Sequence, residues 1–287
     1  MTFSRFMQYF RPGTLAQALA QKMTGRVSSN SPATSLAEEI RRLRALPRYQ
    51  STITTVFEHP FEVVDAPTFL VSYHEIFERG IYAFNPATDS PYIIDCGANT
   101  GVSVVFWGLS HPNAQIVAFE PDPTIFSVLK RNVERFGFAE RATLYQKAVW
   151  TTETTCEFWS EGAHSGRIPK HGDDARRIQV NAVRLRPFLE RRVDFLKIDI
   201  EGAETDVILD CADSLKNVAH IFIEYHAHIA EPQRLHELLN VLHAAGFRYQ
   251  IHDIFPVRQP FIEHPTVLGM DLQLNIFGYR ESINEVS

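Results

Sequence analysis

Four titratable side chains follow two apolar runs of the chain, and they are the strongest candidates for chemistry. Asp199 and Glu201 follow one run, and Glu224 and His226 end the next. Where such runs are neighbouring parallel strands, their carboxyl ends lie at the same rim of the sheet. A histidine titrates near neutral pH, so His226 is the natural base to remove the proton of an alcohol, with Glu224 to orient it or replace it. We therefore predict these four residues as the catalytic set.

The same side chains allow two other interpretations. Asp199, Glu224 and His226 together offer two oxygens and one nitrogen, a donor set that suits a divalent metal ion able to acidify a bound hydroxyl. Asp199 and Glu201 also suit the start of a following helix, where carboxylates are favoured. We expect the base and no metal ion, and both alternatives stay open.

A glycine-flanked turn follows another apolar run, in the stretch Ile93-Ile94-Asp95-Cys96-Gly97-Ala98-Asn99-Thr100-Gly101. Gly97 and Gly101 let the backbone bend sharply and approach a ligand closely. The N–H groups of the next helix suit an anionic group. The spacing is G-x-x-x-G, so the phosphate loop with its Gly-Lys-Ser/Thr and the three-glycine dinucleotide fingerprint are both absent. A nicotinamide-dependent oxidoreductase is therefore a less favoured alternative.

A carboxylate ends the next apolar run, about 20 residues after the glycine turn, as in dinucleotide sites. Gln115–Phe119 leads into Glu120, and the prolines of Pro121-Asp122-Pro123 then stop the strand and start a helix. A carboxylate at this place accepts hydrogen bonds from both hydroxyls of a ribose. The turn and Glu120 together predict a site for a nucleoside-containing cofactor.

From Pro91 onward the chain alternates between strand patterns and helix patterns. The predicted strands are Tyr92–Asp95, Gln115–Phe119, Ala142–Val149, Val193–Ile198, His220–Glu224, Arg248–His252 and Leu272–Phe277. The predicted helices are Gly101–Leu109, Pro123–Phe136, Ala203–Asp210 and Pro232–Ala245. Several strands are apolar on consecutive residues, which suits strands buried on both faces. The alternation predicts a parallel, doubly wound α/β sheet.

The first 90 residues have a different pattern. Ser35 and Glu38 form a capping box ahead of one of several short amphipathic helices. A hairpin is expected around Glu58-His59-Pro60, followed by a helix over Thr68–Glu78. The predicted organisation is a helical N-terminal extension (1–50), a segment that caps the active site (51–90) and a main domain (91–287) that carries an inserted loop or hairpin (151–180).

Composition excludes several classes of protein. The chain has 287 residues and a formal net charge of −6, and no Lys/Arg cluster is long enough for a nucleic-acid-binding stripe. Three cysteines without paired spacing indicate a reducing compartment, so we expect a cytoplasmic location. No apolar run reaches the roughly 18–20 residues that span a bilayer. Apolar residues at helical spacing in Met1–Phe10 leave peripheral membrane contact open, and a homodimer also stays open.

Several of these stretches resemble motifs of class I S-adenosylmethionine-dependent methyltransferases. The matching stretches, in chain order, are Ile94–Gly101, Phe119–Pro123 with Leu129–Asn132, and Ala148-Val149. Phe195–Glu204 is the most specific stretch, and together with the others it is similar to the FkbM-type methyltransferase family, whose known members are largely O-methyltransferases. The resemblance covers roughly residues 92–277.

The resemblance implies a Rossmann-like sheet of seven mostly parallel strands, with the last strand antiparallel. It implies that the turn from Asp95 to Gly101 holds the methionine part of S-adenosylmethionine and that Glu120 holds its ribose. Asp122 or the segment 146–149 would lie near the adenine. The expected cofactor-binding residues are Asp95, Gly97, Ala98, Asn99, Gly101, Glu120, Pro121, Asp122, Ala148 and Asp199.

The activity implied is transfer of the cofactor's methyl group to a hydroxyl of a small-molecule, sugar or lipid-linked acceptor. Methylation of nitrogen stays an alternative, because an amine needs little help from a base. A non-catalytic binding module with the same fold is an alternative from a different functional class. Tyr82-Ala83-Phe84, just ahead of the first predicted strand, is the aromatic segment best placed to line the acceptor site.

Overall fold

The structure is a computed structural model that describes residues 35–160, 166–167 and 176–280. Its α-helices are α1 (Leu36–Arg44), α2 (Ala66–Tyr73), α3 (Val102–Ser110), α4 (Pro123–Arg135), α5 (Glu204–Cys211) and α6 (Leu235–Ala244). A π-helix (His74–Glu78) continues α2, and two 3-10 helices span Arg186–Leu189 and Ala212–Asn217. The apolar stripe expected in Met1–Phe10 lies outside the described residues.

The strands are numbered in chain order: β1 (Thr52–Thr54), β2 (Phe61–Val63), β3 (Tyr92–Cys96), β4 (Gln115–Phe119), β5 (Ala142–Tyr145), β6 (Ala148–Trp150), β7 (Thr154–Ser160), β8 (Gly166–Arg167), β9 (Arg176–Arg184), β10 (Val193–Ile198), β11 (Val218–His228), β12 (Arg248–Asp253) and β13 (Met270–Tyr279).

Seven strands form the central sheet, in the order β12-β13-β11-β10-β3-β4-β5. The strands from β11 to β5 are parallel neighbours. β13 runs antiparallel to both β11 and β12. The mostly parallel sheet with an antiparallel last strand is therefore confirmed. The strand order reverses between β3 and β10, and ligands of such sheets bind beside the carboxyl ends of the strands at this point.

The sheet is buried on both faces, which explains its unbroken apolar strands. All six residues of β10 are buried. Phe195 faces the layer formed by α3 and α4, where it packs against Trp107. Leu196, the next residue, faces the opposite layer with Val207 of α5. Successive side chains of a strand point to opposite faces, so each face of β10 buries a different set of helices.

One predicted strand is wrong. The apolar stretch Ala142–Val149 forms two strands in two different sheets. β5 ends the central sheet, whereas β6 pairs with β9 in a four-stranded sheet of order β6-β9-β7-β8. Exposed Gln146 and half-buried Lys147 lie between them, and this polar pair interrupts the apolar run.

The predicted insertion forms the rest of this second sheet. β7 pairs antiparallel with β9 from Thr154↔Ala182 to Ser160↔Arg176. β9 continues past the predicted boundary at Val180 as far as Arg184, because Val180 and Ala182 bury against Phe158 and Ala148.

The segment before the sheet packs on the outside of α3 and α4. Ser35 and Glu38 form the predicted capping box of α1, and β1 and β2 form the predicted hairpin. Phe57 lies edge-on to Phe61 and Phe136, with ring centroids 5.2 and 6.0 Å apart, so an aromatic core joins this segment to α4. The expected role of residues 51–90 as a cap over the acceptor stays a prediction.

None of the helices in the described ranges is both long and apolar enough to cross a membrane.

Candidate functional site

The turn between β3 and α3 has a backbone shape that depends on its glycines. Gly97 and Gly101 have φ values of +89° and +93°, and Asn99 lies between them at +48°. A Cβ atom on Gly97 would lie 1.9 Å from the main-chain oxygen of Asp199. The ends of β3 and β10 therefore approach each other so closely that no side chain fits at Gly97.

Glu120 faces this turn from the end of β4. One carboxylate oxygen accepts a hydrogen bond from the N–H of Asn99 at 3.0 Å, and the other accepts one from the N–H of Asp122 at 2.9 Å. Glu120 is buried, and this burial raises its pKa to about 8. A carboxylate oxygen has more than one lone pair, so both oxygens keep capacity to accept further hydrogen bonds.

Asp122 and Ala148 have structural partners of their own. Asp122 is the N-cap of α4, and its side chain accepts hydrogen bonds from the N–H groups of Thr124 and Ile125. Ala148 is buried in β6 among the apolar residues of the second sheet. Their expected closeness to the adenine stays a prediction.

A buried lysine joins the first two acidic residues of the site. The ammonium of Lys197 lies 3.3 Å from a carboxylate oxygen of Asp95 and 3.2 Å from one of Asp199, and it donates to the main-chain oxygen of Gly97 at 2.8 Å. Burial lowers the pKa of Lys197, but Asp199 and Asp95 outweigh burial and hold that pKa well above its usual range. Sequence reasoning missed Lys197, which looks like an ordinary residue of a buried strand.

Asp95 and Asp199 differ in access. Asp95 is fully buried and also accepts a hydrogen bond from the hydroxyl of Ser103 in α3. Its side chain therefore holds β3, β10 and α3 together. The side chain of Asp199 keeps 26% of its surface exposed, so it reaches the crevice. Direct contact of either side chain with a cofactor stays a prediction.

His226 lies at the centre of a second cluster, which contains the remaining predicted residues. Its Nδ1 is 3.0 Å from a carboxylate oxygen of Glu204. Its Nε2 is 3.6 Å from Glu224 and 3.7 Å from Glu201. The histidine side chain is 1% exposed, whereas Glu224 and Glu201 keep 21% and 20% of their side-chain surface. The imidazole is therefore shielded from water while its acidic neighbours line the opening.

Glu204 belongs to this cluster, and sequence reasoning did not single it out. It is the first residue of α5, it is buried, and it accepts hydrogen bonds from the N–H groups of Ile200 and Gly202 as well as from His226. The turn it closes is tight, since Glu201 and Gly202 have φ values of +58° and +104°. A carboxylate at the start of a helix is an ordinary sequence feature, so only the contact with His226 distinguishes it.

Gln273 of β13 lies opposite His226 in the strand register. Its amide nitrogen donates to Glu224 and lies 3.2 Å from Nε2 of His226. An amide nitrogen only donates, so in this arrangement Nε2 accepts and the proton of the neutral imidazole is on Nδ1, facing Glu204.

The charges around His226 favour its protonated form. Burial lowers the pKa of His226, but Glu201 and Glu204 outweigh burial and raise that pKa well above its usual range. Burial also raises the pKa of Glu201 above its usual range. The hydrogen bond from Gln273 requires the neutral imidazole of His226. The surrounding carboxylates favour its protonated form. The imidazole can act as a base at Nε2 only in its neutral form, which is also the form that accepts the hydrogen bond from Gln273.

Three of these residues also form a candidate metal site. Asp199, Glu224 and His226 each place one donor atom within 4.8 Å of the other two. This is the trio that the sequence suggests as alternative ligands. Two carboxylate oxygens and one imidazole nitrogen fit a divalent ion such as Mg²⁺, Mn²⁺ or Zn²⁺. Lys197 is a competing cation, since it already neutralises Asp199.

Tyr82 lies beneath the site and does not line its wall. Its ring stacks on Trp107 and meets Phe222 edge-on, with centroids 5.4 and 4.9 Å apart. The residue is 4% exposed, and burial raises the pKa of its hydroxyl well above the usual range. The expectation that Tyr82 walls the acceptor pocket is therefore wrong, because the ring fills the core between α3 and the sheet.

The strand order, the glycine turn after β3 and the acid at the end of β4 together define a class I methyltransferase fold. A family model described as the methyltransferase FkbM domain matches residues 95–249, which is more than half of the chain. The chain belongs to the FkbM methyltransferase family.

Similar proteins include Methyltransferase 1 of Beauveria bassiana, 30% identical over 159 residues that span 47% of this chain and 64% of that protein. The 31-O-demethyl-FK506 methyltransferase FkbM of Streptomyces tacrolimicus is 26% identical over 177 residues, or 50% of this chain and 68% of that protein. This chain thus matches slightly less than two thirds of the length of the first relative and slightly more than two thirds of the second. The crystal structure of methyltransferase FkbM from Methylobacillus flagellatus aligns at 18% identity and a TM-score of 0.46, covering 92% of this chain and 58% of that one.

Proposed function

We propose that this protein transfers the methyl group of S-adenosylmethionine to a hydroxyl of a small-molecule, sugar or lipid-linked acceptor. The observation that carries the proposal is His226, which Glu204 holds by Nδ1 so that Nε2 faces the partly exposed carboxylates of Glu201 and Glu224. The name of one relative supports an oxygen acceptor, since it is a methyltransferase for 31-O-demethyl-FK506.

The residues at the end of β3 and β4 fit the cofactor. Gly97 and Gly101 give the turn the left-handed backbone that we propose to hold the methionine part, and the carboxyl group of Glu120 retains lone pairs for the ribose hydroxyls. When bound, the cofactor supplies an electrophilic methyl group whose transfer releases a neutral thioether. Positioning and exclusion of water are then the main tasks of the protein.

The protein's own chemistry is removal of the acceptor's proton. Nε2 of His226 takes this proton, and Gln273 turns its amide away as the hydroxyl arrives. Glu204 stabilises the imidazolium through the Nδ1–H bond, and it fixes which nitrogen faces the acceptor. Glu224 and Asp199 accept hydrogen bonds from further hydroxyls of the acceptor at the opening.

A second candidate is metal-dependent O-methylation, favoured by the closeness of the three donor atoms of Asp199, Glu224 and His226. These residues would hold a divalent ion that lowers the pKa of a bound hydroxyl. His226 would then be a ligand through Nε2, still oriented by Glu204. Activity that disappears with a chelator and returns with Mg²⁺ or Mn²⁺ would select this candidate over the base.

Calorimetry with S-adenosylhomocysteine tests cofactor binding without knowledge of the acceptor. Wild-type protein should bind, and Glu120→Ala should weaken binding at least about tenfold, because two hydrogen bonds to the carboxyl group are lost. His226→Ala should bind as the wild type does, since that residue serves the acceptor. No binding by the wild type, or undiminished binding by Glu120→Ala, would refute the cofactor site.

Transfer of a labelled methyl group tests the acceptor chemistry. Matched alcohols and amines, such as alkyl glucosides and the corresponding amino sugars, are the acceptors. Under the proposal His226→Ala loses transfer to the alcohol. If the natural acceptor is an amine, the variant keeps most of its activity.

The three cysteines are free, and we propose a reducing, cytoplasmic location for the reaction.

A further inference from the structure

β12 is the edge strand of the central sheet, and its outer edge is unusually open. All six of its side chains are exposed. One edge pairs with β13, and no other strand within the described ranges pairs with the second edge. Natural proteins protect such edges with charges, prolines or bulges. The four central residues, Tyr249–His252, include neither a proline nor a lysine, arginine or carboxylate.

Exposed apolar side chains are concentrated in β12 and in the loop that follows it. Among the described residues ten large apolar side chains are exposed, and six of them lie between residues 249 and 268. Tyr249 and Ile251 are 38% and 39% exposed and share one face of the strand. Phe261 and Ile262, at 96% and 75%, lie in the loop that follows β12. Apolar groups collected in this way mark an interaction surface.

We propose that β12 pairs antiparallel with β12 of a second copy of this chain, about a two-fold axis at Gln250. The two seven-stranded sheets then become one continuous sheet across a dimer. In this register Tyr249 lies opposite the partner's Ile251. An aromatic residue opposite a β-branched residue is a stabilising cross-strand pair, and the two-fold symmetry produces the pair twice.

A second copy fits this edge better than a lipid surface does. The outward main-chain N–H and C=O groups of Tyr249–His252, which pair with no other strand in the described ranges, need a partner with the same strand geometry. The chain carries a formal net charge of −6, which opposes binding to an anionic membrane. Tyr249 and Ile251 complement each other, so a copy of the same strand supplies both the backbone and the side-chain partners.

The mass of the full-length protein in solution tests the dimer. Sedimentation equilibrium should give twice 32.8 kDa for the wild type. Ile251→Lys should shift the mass to a single copy, because a lysine opposite Tyr249 removes the apolar pair and adds charge to the edge. Ile53→Lys is the matched control: Ile53 is 51% exposed on β1 and should leave the dimer intact. Both variants should keep the far-ultraviolet circular dichroism of the wild type, because each changes an exposed side chain.

A disulfide tests the register. Directly opposite residues of antiparallel strands have Cα atoms about 4.5–5.5 Å apart, within the range that a disulfide spans. Gln250→Cys, in a Cys156→Ser background, should therefore form a covalent dimer on mild oxidation. Tyr249→Cys should not, because its diagonal partner lies about 7–8 Å away. A monomeric wild type, a dimer that survives Ile251→Lys, or a dimer without the Gln250→Cys link would each overturn the proposal.

Discussion

Replacing Gly97 by alanine tests whether the close approach of β3 and β10 shapes the cofactor turn. Gly97 has φ +89°, and its added Cβ would lie 1.9 Å from the main-chain oxygen of Asp199, which is backbone and cannot swing aside. Gly137 is a matched control: it has φ +72°, and its added Cβ would meet nothing within 4 Å. The pair of variants separates the cost of the left-handed backbone from the cost of the collision.

The expected magnitudes follow from these two geometries. A left-handed conformation costs a residue with a side chain roughly 1–2 kcal/mol, and Gly137→Ala bears this cost alone. In Gly97→Ala the two strand ends must also move apart by about 1.5 Å to restore an ordinary contact, which adds roughly 1–3 kcal/mol of overpacking. At about 2–4 °C per kcal/mol for a domain of this size, we expect melting temperatures lower by about 2–8 °C for Gly137→Ala and about 4–20 °C for Gly97→Ala.

Differential scanning calorimetry measures both losses, and titration with S-adenosylhomocysteine measures their consequence. Gly137→Ala should bind as the wild type does. Gly97→Ala should bind at least about tenfold more weakly, because the turn and Asp199 are displaced together. Equal losses of stability in the two variants, or full binding by Gly97→Ala, would show that the strand contact does not shape the site.

Three further predictions concern the titratable residues. Glu204→Gln removes one of the carboxylate charges that raise the pKa of His226, so the acid limb of the transfer rate should move to lower pH; an unchanged pH profile, with the half-buried Glu237→Gln as the control, would contradict this. Glu120 has a folded pKa of about 8, above its unfolded value, so the free protein should lose stability between about pH 4.5 and pH 8 as the unfolded state releases the proton first. The melting temperature of Glu120→Gln should therefore rise relative to that of the wild type between pH 4 and pH 8, and a difference between the two proteins that stays constant over this range would count against the assignment. Lys197→Met leaves Asp95 buried without its cation and should lower the free energy of unfolding by about 3–5 kcal/mol in denaturant titration; a loss under 1 kcal/mol would argue against the ion pair.

The sheet and most of the candidate site could be predicted because they depend on local patterns. Gln115–Phe119 and Val193–Ile198 agree with the structure at both ends, since each is an apolar run bounded by polar or turn-forming residues. The prediction for Ala142–Val149 failed because β5 and β6 are both largely apolar and only two residues separate them in the sequence. The prediction for Tyr82 failed because the burial of an aromatic ring depends on the elements that pack over it, and the local sequence does not give those elements.

The amino-acid sequence by itself determined that acidic groups, a histidine and a bare-backboned turn meet at one rim of a parallel sheet. The pattern of apolar residues, the length of each strand and the glycine spacing are properties of neighbouring residues, and they suffice for that conclusion. Only the tertiary structure decided that Glu204 holds His226 and that Lys197 lies between Asp95 and Asp199. Those contacts join residues from different elements, and they exist because strand order and burial bring the charges together where water cannot separate them.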